Sequence, residues 1–255
     1  MPVIIVCFKW VVDEAYIRRG ASGELDFSSV NYRLGDYDRN AIEEAVLLRE
    51  KHGGLVFAVT VGVPEATKGV KDALSRGPDQ ACFIADASFA DFEPSQTASV
   101  LAAVIRARLD PCDLIICGEG SSDLYAQQVG PRLAEHLGIS CVSFVQKLAL
   151  EGRVLTAERR VEEGIECVSA PLPALVTVLP DINTPRIPGV KDTLMASKKP
   201  VVVVRKEELP GIAEARLRTL GMAASRMERS CERFGSESAE IARFSEALRK
   251  KSGVG

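Results

Sequence analysis

The chain has 255 residues, 46% of them hydrophobic, enough to bury one large core or two modest ones. Its 32 basic and 35 acidic residues leave a formal charge of −3 with no basic block, which argues against a nucleic-acid partner. No apolar run reaches the roughly 18 residues of a membrane span, and the seven cysteines (7, 82, 112, 117, 141, 167 and 231) form no C-x-x-C and no metal-ligand spacing, so a reduced, cytoplasmic chain without a metal site is expected.

The opening "MPVIIVCFKW" has no basic stretch ahead of its short apolar run and reads as a first strand rather than a leader. After "VIIVCF" (3–8), "DRNAIEEAVLLREK" (38–51) has helical periodicity, "LVFAVTVG" (55–62) is β-rich, and "PEATKGVKDALSRG" (64–77) is helical again. The alternation continues through "QACFIA" (80–85), "PSQTASVLAAVIRARL" (94–109), "DLIIC" (113–117), "QQVGPRLAEHLG" (127–138) and "SCVSFV" (140–145). Short apolar strands separated by amphipathic helices predict right-handed βαβ units and a doubly wound, mostly parallel α/β fold. Pro64 stands where a first helical turn begins, and Gly77 and Gly138 where helices stop.

From about residue 146 the pattern alternates with period two and turns near Glu151-Gly152 and Glu163-Gly164, predicting antiparallel strands appended to the parallel sheet. Residues 181–200, "DINTPRIPGVKDTLMASKKP", read as a proline-rich excursion ending in a short helical stretch. The expected division is an α/β domain over residues 1–200 and a C-terminal arm over 201–255, which holds one strand at "VVVVR" (201–205), a late helix near 236–251, and too little apolar content for a core of its own.

In such sheets ligands bind beyond the carboxyl ends of the strands, where a helix N-terminus offers unpaired N–H groups. "GEGSSDLYAQQVG" (118–130) follows a strand and opens a helix: Gly118 and Gly120 permit close backbone approach, Ser121 and Ser122 bring hydroxyls, and Gln127, Gln128, Val129 and Gly130 bring N–H groups. Cys7, Phe8 and Lys9 end one strand and Val61-Gly62 another, so their ends converge on the same cleft. Asp38 reads as a helix N-cap or a ligand contact, Lys9 as an anion contact or a snorkelling stem, and Trp10 as packing or a stacking platform. The order Gly-Glu-Gly-Ser-Ser is neither a dinucleotide fingerprint, a phosphate loop nor a nucleophile elbow. His52 and His136 are the only histidines, leaving no material for a Ser-His machine. A phosphate cradle and an ordinary connection both remain open for this segment, and no catalytic side chain is expected.

"AERRVEEGIECVSAPLPALVT" (157–177) resembles the signature segment of the β subunits of electron transfer flavoproteins: a basic position, an acidic and glycine cluster, then a proline, aliphatics and threonine. The resemblance runs from "VCFKWVVDE" through "AIEEA", "LSRGPD" and "QQVG" to "DINTPRIP" and "KKP", and is greatest to the bacterial Fix-type branch. It implies an adenine-nucleotide-binding, HUP-like α/β fold and a heterodimer whose α subunit carries the redox FAD. It also implies AMP or a second FAD in the β subunit, near Cys7, Gly35, Val61, Gly118, Asp123 and residues 127–130. A further implication is electron exchange with an acyl-CoA dehydrogenase, enoyl-CoA reductase or quinone oxidoreductase, docked on residues 185–196 with Pro185, Arg186, Ile187, Leu194 and Met195 around an anchor at Val190. The chain departs from AMP-binding relatives at Gly35-Asp36 and Val129, where they carry Asn-Pro and Thr, and from bifurcating relatives at Leu124-Tyr125 and Ala126-Gln127. Loss of the Thr favours FAD, because a pyrophosphate can rest on backbone N–H groups alone. NADH-oxidising bifurcation and, from another class, a stand-alone adenine-nucleotide sensor are the alternatives.

Overall fold

Runs of β-branched residues bounded by glycine, proline and aspartate favour strands, and the amphipathic stretches between them must cover the resulting sheet. The computed structural model describes residues 1–20, 23–212, 214–217, 219–223 and 231–252. Its strands are β1 (Val3–Cys7), β2 (Trp10–Val12), β3 (Arg18–Arg19), β4 (Leu25–Asp26), β5 (Tyr32–Leu34), β6 (Leu55–Gly62), β7 (Gln80–Ala85), β8 (Leu114–Gly118), β9 (Ser140–Glu151), β10 (Val154–Val161), β11 (Gly164–Pro171), β12 (Ala174–Val178) and β13 (Val201–Arg205). Its α-helices are α1 (Asp36–His52), α2 (Thr67–Ser75), α3 (Pro94–Val104), α4 (Val129–Leu137), α5 (Val190–Ala196) and α6 (Ser238–Ser252).

One nine-stranded sheet runs in the order β11-β10-β9-β12-β8-β1-β6-β7-β13. It is parallel from β9 through β13, and antiparallel only where β10 pairs with β9 and β11. The chain builds from β1 through β6 to β7, then crosses back by α3 to lay β8 on the other side of β1. That reversal is a topological switch point, where two crossovers diverge and leave a crevice at the carboxyl ends. Cys7 and Cys117 lie opposite each other there.

Each sheet face is sealed by its own helices. Ile4, Val6 and Ala58 pack with Ala41, Ile42, Ala45 and Val46 of α1 and Val70 and Ala73 of α2. On the reverse face Ile5, Cys7, Ile115 and Cys117 pack with Ala98, Val100 and Leu101 of α3 and Leu133 of α4. Ile4, Ile5, Ile115 and Leu133 are fully buried, and each such side chain contributes about 1.5–3 kcal/mol of transfer free energy.

Four sequence expectations change. "PALVT" is not an appended antiparallel strand: β12 inserts between β9 and β8, parallel to both, with every residue buried. The run at 140–145 does not stop there, since β9 continues to Glu151 through an irregularity at Phe144 and so belongs to both the parallel and the antiparallel part. Asp36, Tyr37 and Asp38 form the first turn of α1, with Gly35 at its N-cap, so Asp38 is not the cap. The helix expected at 127 begins at Val129, with Gln128 at the N-cap and Gln127 outside in a left-handed conformation (φ 56°).

Contacts divide the chain into a large unit, residues 1–18 and 26–221, and a small one, residues 19–25 and 222–255. In the small unit Phe234 packs edge-on against Phe244 of α6, ring centroids 5.4 Å apart. Of the expected arm, residues 213, 218, 224–230 and 253–255 lie outside the described residues.

Candidate functional site

Two loops from opposite faces of the sheet meet beyond β1 and β8. The first is the opening turn of α1, the second the stretch from Gly118 to Gln128. Gly118 lets them touch: a Cβ there would lie 2.8 Å from Tyr37 Cβ and 2.9 Å from Asp38 Oδ1. Gly35 leaves room within the α1 turn, where a Cβ would stand 2.6 Å from Asp38 Oδ2, and faces Ser122 Oγ of the other loop at 3.7 Å. The Asp36 N–H donates to Ser122 Oγ at 3.0 Å, fastening one loop to the other. Gly130 brings the start of α4 down onto the sheet, its missing Cβ 2.5 Å from Thr177 Cγ2.

The charges in this cleft are mostly spoken for. Lys9 Nζ pairs with Asp123 Oδ2 at 2.7 Å, so Lys9 neither snorkels nor stands free. Burial alone would lift the Asp123 carboxyl, but the charge and hydrogen bond of Lys9, joined by Ser121, hold it below the ordinary range. Asp36 is held low by its hydrogen bonds to Arg33 and by the charge of Arg39. Asp38 differs: it is buried, accepts one hydrogen bond from the Lys9 N–H at 2.9 Å, and burial pushes its carboxyl up to about 7.

Beside this junction lies a pocket of about 420 Å³ lined by Tyr37, Glu119, Tyr125, Phe144, Arg160 and the segment Leu179–Asp181. Glu119 is buried and accepts hydrogen bonds from the Tyr125 hydroxyl and from Gln127 Nε2, the latter at 2.7 Å. Both donors come from residues with positive φ, 47° for Tyr125 and 56° for Gln127, which curl the loop back over Glu119. The Tyr125 ring lies over Gly120 and 5.4 Å from that of Tyr37, centroid to centroid. Phe144 also has positive φ (62°), and its N–H donates to Thr177 Oγ1 at 3.2 Å; such a bulge re-aims a side chain toward a site. Arg160, a basic position of the 157–177 segment, pairs with Asp181 at 2.7 Å.

The structure thus brings Lys9, Gly35, Asp38, Gly118, Ser122 and Asp123 into direct contact, with Gly120, Ser121, Gln127 and Gln128 on the same loop. Cys7, Cys117, Val61 and Val129 belong to the apolar cluster on the α3 and α4 face of the sheet, whereas Phe8 faces the α1 side. Gly62 meets Ala66 and accepts from the Asp86 N–H, engaging the neighbouring connection instead. Trp10 packs on α2 at Gly69, where a Cβ would lie 2.7 Å from its ring, so it is no stacking platform. His52 and His136 sit near the C-termini of α1 and α4, the far end of the sheet from this cleft. The Cys117 thiol is pushed well above the ordinary range, first by its hydrogen bond with Cys7 and then by burial, so Cys117 is not nucleophilic. Tyr37, Glu119, Phe144 and Arg160 line the pocket without a motif that marks them in the sequence. Glu119, an acid directly after a buried strand, was the one local signal.

The 181–189 segment is tied to α1. Asn40 Nδ2 donates to the carbonyls of Pro180 and Asn183, and Asn183 Nδ2 returns bonds to the Asn40 carbonyl and to Glu44. Arg186 makes a two-pronged contact with Glu43, at 2.8 and 2.9 Å, and another with Glu50 at 2.9 Å. Arg186, one-third exposed, is thereby held against α1, and Pro185 is half-buried beside it. Ile187, Val190, Leu194 and Met195 are exposed, Ile187 by 92% and Val190 by 81%.

Among the described residues no helix is long and apolar enough to cross a membrane, and no group of His, Cys, Asp and Glu is arranged to hold a metal ion. The fold and cleft define a doubly wound α/β protein with its small-residue loops joined at the switch point. The chain belongs to the electron transfer flavoprotein domain family, whose model matches residues 23–209. Electron transport with flavin or adenine-nucleotide chemistry follows in general from that membership.

Proposed function

We propose that this chain is the β subunit of a heterodimeric electron transfer flavoprotein of the Fix-type branch. In this reading it holds an adenine nucleotide, FAD or AMP, at the switch point and presents α5 to a dehydrogenase or reductase. The observation that carries the reading is the glycine-lined junction of the two loops. Gly35 and Gly118 stand where any side chain would clash, α4 opens toward the cleft, Asp123 supplies acceptors suited to ribose hydroxyls, and Cys7, Val61 and Val129 form an apolar floor. These residues fit the adenylate part of either nucleotide. When bound, a flavin carries the electrons; the chain's residues bind, orient and shield it.

Exposed apolar surfaces favour a subunit over a stand-alone sensor. Val190 and Leu194, one helical turn apart on α5, both stand in solvent, as do Val202 and Val203 on β13 and Ile241 and Phe244 on α6. The arm from residue 201 would then lie against an α subunit that carries the redox FAD.

Counting nucleotides released from the purified heterodimer tests the assignment. One FAD with one AMP supports a carrier, and two FAD with NADH oxidation support bifurcation; a single FAD and no other adenine nucleotide overturns the cleft's role. Val190→Asp is expected to slow electron transfer to the dehydrogenase by about tenfold, as loss of a central apolar anchor does, while nucleotide content stays constant. An unchanged rate would remove Val190 from the interface.

A further inference from the structure

Asp38 has no cation directly on its carboxylate, unlike Asp36 and Asp123 beside it. It sits at the floor of the junction, 6% exposed, with Oδ2 on the Lys9 N–H and Oδ1 against Gly118. Every element around it contributes a charge or a titratable group. Lys9 comes from the end of β1, but its ammonium is engaged by Asp123 at 2.7 Å. Asp123 comes from the loop after β8, Asp36 from the turn of α1 itself, and Cys117 from the end of β8. The two carboxylates oppose ionisation of Asp38, Lys9 alone favours it, and burial outweighs them all. A phosphate entering beside this group would add negative charge to a dry carboxyl with no counterion of its own.

We propose that Asp38 makes the cleft selective for its ligand by proton linkage: an anionic adenine nucleotide binds only with Asp38 protonated, and affinity falls as the solution becomes alkaline. The inference rests on the adenine-nucleotide reading of the cleft. Its geometry divides the labour between the two oxygens, since Oδ2 accepts from Lys9 and Oδ1, facing Gly118, is left to carry the proton. Below the folded pKa the acid is neutral in both free and bound chains, and affinity is level. Above it, each binding event takes up a proton, and affinity drops by up to about tenfold per pH unit. An uncharged nucleoside adds no charge to the cleft and binds without such uptake.

The test titrates the nucleotide-stripped full chain with FAD, whose pyrophosphate does not change charge across the range, and with adenosine, between about pH 6 and 9. AMP is avoided because its own phosphate titrates near 6. FAD affinity is expected to fall about tenfold or more toward the alkaline end, adenosine affinity to stay level, and Asp38→Asn to flatten the FAD profile. Calorimetry of the unaltered chain in two buffers of different ionisation enthalpy should show close to one proton taken up per FAD near pH 8. FAD binding that is level with pH, a fall that survives in Asp38→Asn, or no proton uptake would each overturn the proposal and leave the cleft's nucleotide role standing. If neither ligand binds at any pH, the nucleotide reading falls and the linkage with it.

Discussion

At pH 8, Asp38→Asn is expected to raise the midpoint of thermal unfolding, and at pH 5 to raise it by distinctly less. Burial lifts the Asp38 carboxyl from its ordinary 3.8 to about 7 in the folded chain. Between those values the folded state keeps a proton that the unfolded state has released, so stability present at low pH is lost as pH rises toward 7. Above about 7 the folded chain carries a buried anion, and the full penalty corresponds to roughly 4 kcal/mol. Asparagine keeps an oxygen for the Lys9 N–H but forfeits the charge-assisted part of that bond, about 1 kcal/mol. The net gain at pH 8 is therefore about 2–3 kcal/mol, or roughly 5–10 °C in a chain of this size. Calorimetric melts at the two pH values decide it: equal shifts at both, or a lower midpoint at pH 8, would sink the assignment of Asp38 as a strained acid.

Arg186→Ala should act in the opposite direction and in two places at once. Glu43 is only 5% exposed, and Arg186 supplies its two-pronged ion pair. Removing the guanidinium strands a carboxylate in a site from which water is largely excluded. A fully buried pair broken this way costs about 3–5 kcal/mol; Arg186 is one-third exposed, which lowers the expectation to roughly 2–3 kcal/mol. The same change releases the segment that leads into α5, so on the docking role proposed for α5 electron transfer to a dehydrogenase should fall as well. Adding Glu43→Gln should recover much of the stability, because no stranded charge remains, without restoring the transfer rate. A double variant no more stable than Arg186→Ala would show that the pair contributes geometry and not charge compensation.

This arrangement gives α1 two duties. Its first turn, Asp36 to Asp38, forms one wall of the cleft, while Asn40, Glu43, Glu44 and Glu50 on the same helix hold the 181–189 segment. In sequence these are the polar residues of "DYDRNAIEEAVLLRE", which as a helix alone read as a solvated face. Asn40, Glu43 and Glu44 are buried instead, since a segment some 140 residues later folds onto them. Burial of polar groups at helical spacing is invisible locally, because the partner that satisfies them lies outside any window in which periodicity is read.

Similar reasoning accounts for what was missed at the cleft. Gly118, Gly120 and Ser122 stood out as candidates because they follow an apolar strand and lead into a helix, whereas Asp123 came with the family resemblance. Phe144 and Arg160 did not stand out, because their positions depend on a bulge and on the pairing of β9 with β10. The ion pairs of Arg186 were not legible either, because Glu43 and Glu50 precede it by more than a hundred positions.

Apart from the short strands β2 to β5, which local pattern did not mark, the order of strands and helices from Val3 to Leu137 and the glycine-rich connection after β8 were contained in local pattern, because period, turn chemistry and strand length are properties of neighbouring residues. The place of β12 was not. A five-residue run of Ala, Leu, Val, Thr and Val can add to an edge or slot into the middle of a sheet, and only the burial of both its faces between β8 and β9 settles which. The charge state of the cleft is likewise tertiary: Asp36, Asp38 and Asp123 are the same residue type, yet arginines hold the first low, Lys9 the third, and burial, with the neighbouring carboxylates, lifts the second. Sequence names the ionisable groups, but their energies depend on solvent and counterions that only the folded chain brings to them or keeps away.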